Sequence, residues 1–151
     1  MSASTEGLAG TTSGAERRQG GQLLRIVVAD DNRDTVDSLA AILRDAGHTV
    51  YCVYTGIQVL PTVRFTRPDA LILDIAICGM SGYAVAQEIR YSFTDLRRPL
   101  LIGISGMWNQ TSDKLIAQQV GFDHYLDKPC HPDEVLKLLE PLRQRRPAES
   151  A

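Results

Sequence analysis

The sequence lacks several features that would assign a broad functional class at once. Its three cysteines are an odd number without CxxC spacing, which argues against a disulfide framework and a zinc site. No apolar run approaches the roughly 20 residues of a membrane span, and residues 1–21 do not resemble a signal peptide. The formal net charge of −2 gives no reason to expect a nucleic-acid partner. These absences predict a cytoplasmic protein that binds neither membrane nor nucleic acid.

The composition fits one globular domain. The 151 residues are 44% hydrophobic and 23% charged, which is ordinary for a domain with a real core. Residues 1–22 are dominated by small and polar residues, so we predict a flexible N-terminal tail. We predict a folded domain over residues 23–143 and a disordered C-terminal tail over residues 144–151.

Strand-like and helical patterns alternate along the chain. Apolar runs at 26–29, 50–53, 70–73 and 100–104 predict four strands, and a half-buried edge strand is predicted at 122–126. Helical spacing predicts helices between them, although Pro61 should shorten, kink or restart the second helix. Five such units indicate an α/β fold, a doubly wound (βα)5 domain with a parallel five-stranded sheet.

Polar residues follow four of these strands. They are Asp30-Asp31, Asp74, Ser105 and Lys128. Because parallel strands end at one edge of the sheet, we expect these side chains to gather there. Three converging carboxylates repel one another unless a cation lies between them, and oxygen ligands favour Mg²⁺ or Mn²⁺.

In this order, these residues resemble the receiver domain of two-component response regulators. The resemblance covers residues 24–142 and includes Met80-Ser81-Gly82-Tyr83 and Gly121-Phe122-Asp123. It implies the flavodoxin-like strand order 2-1-3-4-5. Taken singly, each polar residue has an ordinary alternative role: the aspartate pair as a helix cap, for example, or Lys128 as a surface lysine. Their joint occurrence favours the receiver.

The resemblance implies a role for each residue. Asp74 would accept a phosphoryl group from a histidine kinase or a histidine phosphotransfer protein. Asp30, Asp31, Asp74 and the backbone carbonyl of Ala76 would hold Mg²⁺. Ser105 and Lys128 would meet the phosphoryl oxygens. Tyr125 would be the aromatic switch, and the face made by helix 4, strand 5 and helix 5 would dimerise or bind a target. Such a protein is not an enzyme, although it assists its own phosphorylation and dephosphorylation.

Four positions depart from the family pattern, one of which is Ser81 in place of the usual aspartate before the glycine. Cys78 stands where proline is usual, which predicts a looser loop between residues 75 and 80. Ala76 and Met107 stand at the two positions that tune hydrolysis in the family, and neither side chain can position a water molecule. We therefore expect slow loss of the phosphoryl group.

Two alternative functions follow from the same residues. A haloacid-dehalogenase-type phosphatase also uses an aspartate after a strand, but it needs a second acid at the position of Ala76. A degenerate receiver would act only as a protein-binding module, and the presence of all five polar site residues argues against it.

Overall fold

The computed structural model describes residues 21–93, 98–106 and 111–150, within which strands and helices alternate. The strands are β1 (Arg25–Ala29), β2 (Thr49–Val53), β3 (Ala70–Asp74), β4 (Leu100–Ser105) and β5 (His124–Asp127). The helices are α1 (Arg33–Asp45), α2 (Gly56–Thr66), α3 (Gly82–Ser92), α4 (Thr111–Val120) and α5 (Pro132–Ser150). No helix in these ranges is both long and apolar enough to span a membrane.

The five strands form one parallel sheet in the order β2-β1-β3-β4-β5. This confirms the predicted flavodoxin-like topology. β5 lies at an edge and is half-buried along its length, as its sequence pattern predicted. The register pairs Ala29 with Leu73, Asp74 with Ile104, and Ser105 with Asp127, so the strand ends that carry polar residues are level with one another.

Alternate residues of each strand point to opposite faces of the sheet, and each face has its own apolar core. Ile26, Val28 and Ile72 pack with buried residues of α1 and α5. On the other face, Val27 and Leu71 pack with buried residues of α2, α3 and α4. Because both faces are covered, β3 is buried at all five positions, including its terminal Asp74.

The N-terminus of α1 shows whether the aspartate pair caps this helix. Asn32 caps this helix, since its side chain accepts a hydrogen bond from the N–H of Thr35 at 3.2 Å. The aspartate pair before it does not serve as the cap. Asp30 and Asp31 therefore have to be explained by other contacts.

Helix α2 contains Pro61, at which the sequence predicts a shortened, kinked or restarted helix. It continues through Pro61 and is not restarted there. Thr62 and Thr66 donate their hydroxyls to the carbonyls of Gln58 and Thr62 at 2.8 and 2.7 Å, which adds bonds around the position where proline has no N–H. Tertiary packing of Val59 and Val63 on the sheet stabilises the helix on both sides of the proline.

Contacts are present near both predicted domain boundaries. Helix α5 runs to Ser150, beyond the predicted boundary at residue 143. Two side-chain pairs stabilise the helix near this position. Arg143 and Gln144, three and four residues after Glu140, both hydrogen-bond its carboxylate. At the other end, the N–H of Gln22 donates to the carbonyl of Arg143 at 3.2 Å, so the last residue of the predicted tail is joined to α5. Residues 1–20 lie outside the described ranges.

His48 is a buried histidine between α1 and β2, with 4% of its surface exposed. Its Nδ1 accepts a hydrogen bond from the N–H of Leu24 at 3.0 Å, and its Nε2 has no partner among the described residues. Burial lowers the pKa of His48 below its ordinary 6.5, and the nearby Arg143 lowers it further. The folded protein therefore favours the neutral imidazole.

We predict that this histidine makes the fold less stable in mild acid. Below pH 6.5 the unfolded chain binds a proton that folded His48 resists, so stability should fall as the pH drops. In His48→Asn the amide oxygen replaces the Nδ1 acceptor and does not titrate. Between pH 7.5 and 5.5, urea unfolding should show wild type losing about 1 kcal/mol more than this variant. Parallel pH profiles would contradict the assignment.

Candidate functional site

Three carboxylates meet at the carboxyl edge of the sheet. Asp30 follows β1 and Asp74 ends β3, and they are 4% and 6% exposed, whereas Asp31 is exposed at the surface. One carboxylate oxygen from each lies within 4.8 Å of the other two. The predicted convergence of these residues is therefore present in the structure.

Lys128, which directly follows β5, adds a positive charge to this cluster. Its backbone N–H donates to the carbonyl of Ser105 at 2.9 Å, which continues the pairing of β4 with β5 beyond the strand end. Its ammonium lies 2.9 Å from Oδ2 of Asp30 and 3.4 Å from Oδ2 of Asp74. A lysine on a strand-end turn thus supplies positive charge to the two buried acids.

Burial and neighbouring charges shift the pKa values of Asp74 and Lys128. Burial raises the pKa of Asp74, the negative charge of Asp30 raises it further, and the Ala76 N–H and Lys128 oppose these effects. Burial alone would lower the pKa of Lys128, but its contacts with Asp30 and Asp74 outweigh burial and raise it. The ammonium therefore remains charged at neutral pH, and the two acids compete for it.

Backbone N–H groups orient the three carboxylates. Asn32 donates to Asp30 Oδ1 at 3.0 Å, and Ala76 donates to Asp74 Oδ1 at 3.2 Å. The N–H of Cys78 donates to Asp31 Oδ2 at 3.2 Å. The Cys78 thiol also contacts Asp31, and this hydrogen bond lowers the pKa of that carboxyl.

The loop after β3 is tied to the rest of the domain. The N–H of Gly56 donates to the Cys78 carbonyl at 2.6 Å, and the N–H of Gly82 donates to the Ile75 carbonyl at 2.9 Å. Both approaches need glycine: a Cβ at Gly56 would overlap the Met80 backbone, and one at Gly82 would lie 2.6 Å from the Ile75 Cα. These contacts join the loop that carries Cys78 to the first residues of α2 and α3.

Two of the remaining predicted residues, Ser105 and Tyr125, lie on the neighbouring strands β4 and β5. Ser105 ends β4, is 7% exposed, and pairs in register with Asp127, the neighbour of Lys128. Tyr125 is half-buried in β5 and lines a cavity of about 300 Å³ against α4. Ala76 is exposed directly after the acidic cluster. Met107 lies outside the described residues.

The donors at the cluster fit a hard divalent cation. All three are carboxylates, which suit Mg²⁺ or Mn²⁺ better than a softer metal. The Lys128 ammonium lies against two of them and balances part of their negative charge. The exposed position of Asp31 leaves one side open to water, as a Mg²⁺ site that retains several waters requires.

An apolar wall borders the cluster on the α1 side. A cavity of about 610 Å³ lies between α1 and the turn after β5. Its apolar lining includes Leu39, Ile42, Ile104 and Pro132, and Lys128 reaches its edge. Sequence patterns did not predict this cavity, because it depends on the gap between α1 and the segment that leads from β5 into α5, which are distant in the chain.

A family model for the response regulator receiver domain matches residues 26–140. The chain belongs to this family. The response regulator MprA of Mycobacterium tuberculosis H37Rv is 31% identical over 128 residues, which cover 85% of this chain and 54% of MprA. MprA of Mycobacterium ulcerans is 32% identical over 126 residues, covering 83% of this chain and 53% of that protein. The chain thus spans about half the length of these relatives.

Solved structures of receiver domains have the same fold. A CheY-like receiver domain protein from Methanospirillum hungatei JF-1 superposes with a TM-score of 0.74 at 21% identity, covering 85% of this chain and 99% of that one. The receiver domain of a sensor histidine kinase from Pseudomonas aeruginosa PAO1 superposes with a TM-score of 0.69 at 28% identity, covering 79% and 96%. That structure has a magnesium ion coordinated in its active-site cleft. This chain is accordingly a receiver domain of two-component signalling.

Proposed function

We propose that this receiver domain accepts a phosphoryl group on Asp74 with the help of Mg²⁺. Asp30, Asp31, Asp74 and the backbone carbonyl of Ala76 would hold the ion. A phosphohistidine on a histidine kinase or a histidine phosphotransfer protein would be the donor. The proposal rests above all on the meeting of three carboxylates within 4.8 Å beside the Lys128 ammonium.

The proposed chemistry needs an orientated nucleophile and positive charge. The Ala76 N–H holds one Asp74 oxygen, which leaves the other free to attack phosphorus while the bond to the donor nitrogen breaks. Lys128, released from its contact with Asp74 Oδ2, would meet one phosphoryl oxygen, and the Ser105 hydroxyl would meet another. Mg²⁺, when bound, supplies charge at the third oxygen.

Acetyl phosphate tests this function directly. Incubation of the purified chain with the donor and Mg²⁺ should add one phosphoryl group, detected as a mass increase that hydroxylamine removes. Omitting the divalent ion should prevent the reaction. A chain that binds a partner but takes no phosphoryl group from acetyl phosphate or a phosphohistidine donor would instead be a degenerate receiver that acts only as a binding module.

We predict that Mg²⁺ stabilises the fold through this acidic cluster. A ligand that binds only the native state adds RT ln(1 + [L]/Kd), or about 1.4 kcal/mol at ten times Kd. For a domain of this size the melting temperature should rise by about 5 °C. Differential scanning calorimetry with and without millimolar MgCl2 measures the shift.

A matched pair of variants identifies the carboxylate that is responsible. Asp31→Ala should abolish the Mg²⁺ shift, because it removes a proposed ligand. Asp34→Ala removes another exposed aspartate, three residues along the chain and outside the cluster, and should retain the shift. Equal shifts in the two variants would show that the ion binds elsewhere.

The surface formed by α4, β5 and α5 is the proposed output surface. Leu115 and Ile116 on α4 are 54% and 45% exposed, an unusual exposure for two adjacent large apolar residues. Tyr125 lines the cavity between α4 and β5 together with Leu115. Phosphorylation would draw Ser105 toward Asp74 and let Tyr125 reposition, which would change this surface for a second copy or a target protein.

A further inference from the structure

The exposed acid of the cluster depends on a residue from another loop. Asp31 lies in the turn between β1 and α1, and its Oδ2 accepts a hydrogen bond from the N–H of Cys78, which is 47 residues away. The two buried acids differ, since Asp30 and Asp74 contact Lys128 and accept N–H groups from their own turns. An exposed carboxylate without such a bond would rotate freely in water.

The Cys78 N–H is itself held in a fixed direction. On the other side of this residue, its carbonyl accepts the N–H of Gly56, at the start of α2, over 2.6 Å. The absence of a Cβ at Gly56 lets the Met80 backbone pack against the same helix end. Cys78 therefore links α2 to Asp31 through its two backbone groups, and this link is separate from the contact that its thiol makes with Asp31.

We propose that Cys78 is a positioning residue, whose backbone N–H holds Asp31 in the orientation needed to bind a divalent cation. This rests on the proposed function of the acidic cluster. The bond holds the carboxylate through Oδ2, so less side-chain freedom is lost when the ion binds. Proline, which is usual at this position in the family, has no N–H and cannot make this bond. The property of Cys78 that this proposal uses is its backbone N–H, which a proline would lack.

Substitutions at this position separate the backbone N–H from the thiol. Cys78→Ala removes only the thiol and should bind Mg²⁺ within about two-fold of wild type. Cys78→Pro also removes the N–H and should bind about five-fold more weakly, as loss of one ordinary hydrogen bond implies. Isothermal titration with MgCl2 gives the dissociation constants, and urea unfolding in EDTA shows whether both variants retain the fold.

A double-mutant cycle tests whether the effect passes through Asp31. In the Asp31→Ala background the acceptor of the Cys78 N–H is absent, so the Cys78→Ala and Cys78→Pro variants should bind Mg²⁺ equally weakly. A general distortion of the loop by proline would persist in that background. If Cys78→Pro does not fold, amide hydrogen exchange on the labelled wild-type chain replaces it: the Cys78 amide should be more protected than in Asp31→Ala, which has no acceptor at this position.

The possible outcomes are distinguishable. Equal affinity of Cys78→Pro and Cys78→Ala would overturn the inference, as would equal exchange of the Cys78 amide with and without the Asp31 carboxylate. A loss in Cys78→Ala as large as that in Cys78→Pro would assign the effect to the thiol and also overturn it. If wild type itself fails to bind Mg²⁺, the proposed metal site fails, and that result is recognisable before any variant is compared.

Discussion

Replacement of Asp74 by Ala or Asn is expected to abolish phosphorylation of this chain. Asp74 is the last residue of the central strand, and its carboxylate is held between the Ala76 N–H and the Lys128 ammonium. Neither a methyl group nor an amide can attack phosphorus as a carboxylate does. Labelling with acetyl phosphate and Mg²⁺, followed by intact-mass measurement, should show complete loss in both variants.

The same strand supplies a control for this experiment. Asp69 lies just before β3, at the opposite end of the sheet, where its carboxylate accepts the N–H of Arg25 at 2.8 Å. Asp69→Asn changes an aspartate next to the same strand without touching the cluster, so it should be labelled like wild type. Labelling of Asp74→Ala to the wild-type level would mean that another residue accepts the phosphoryl group.

Sequence patterns predicted the sheet and the convergence of its polar residues for one physical reason. A strand that is buried on both faces is an unbroken apolar run, so the polar residue that ends it is conspicuous, as Asp74 is after Ala70–Leu73. Once the strands are known to be parallel, their ends must share an edge. The same reasoning placed Asp30, Ser105 and Lys128 without any knowledge of distances.

Interactions between residues that are distant in the chain could not be predicted from sequence patterns. Cys78 was recognised as unusual, but its hydrogen bond to Asp31 depends on how two loops approach each other. The contact of Lys128 with both buried acids likewise depends on side-chain geometry. The continuation of α2 through Pro61 reflects packing on the sheet, which overrides the local preference of proline.

The Ala76 side chain is expected to control how long the phosphoryl group stays on Asp74. Hydrolysis requires a water molecule in line with the bond between phosphorus and the Asp74 oxygen. Ala76 is exposed, its N–H lies 3.2 Å from Asp74 Oδ1, and its methyl group offers no hydrogen bond to such a water. An amide at this position would hold the water close to the phosphorus, so Ala76→Asn should shorten the phosphorylated state.

The expected acceleration is about ten-fold if one orientated contact lowers the barrier by about 1.4 kcal/mol. The decay of phosphorylated protein after donor removal measures it, and Met107→Glu tests the second tuning position in the same assay.

Ala76→Val is the matched control, because it adds bulk without a hydrogen-bonding group and should decay no faster than wild type. If Ala76→Asn and Ala76→Val decay at the wild-type rate, the side chain at position 76 does not hold the attacking water. If Met107→Glu also decays at the wild-type rate, neither tuning side chain controls the water, and the loop that carries Cys78, which approaches the site through Asp31, is the next element to test.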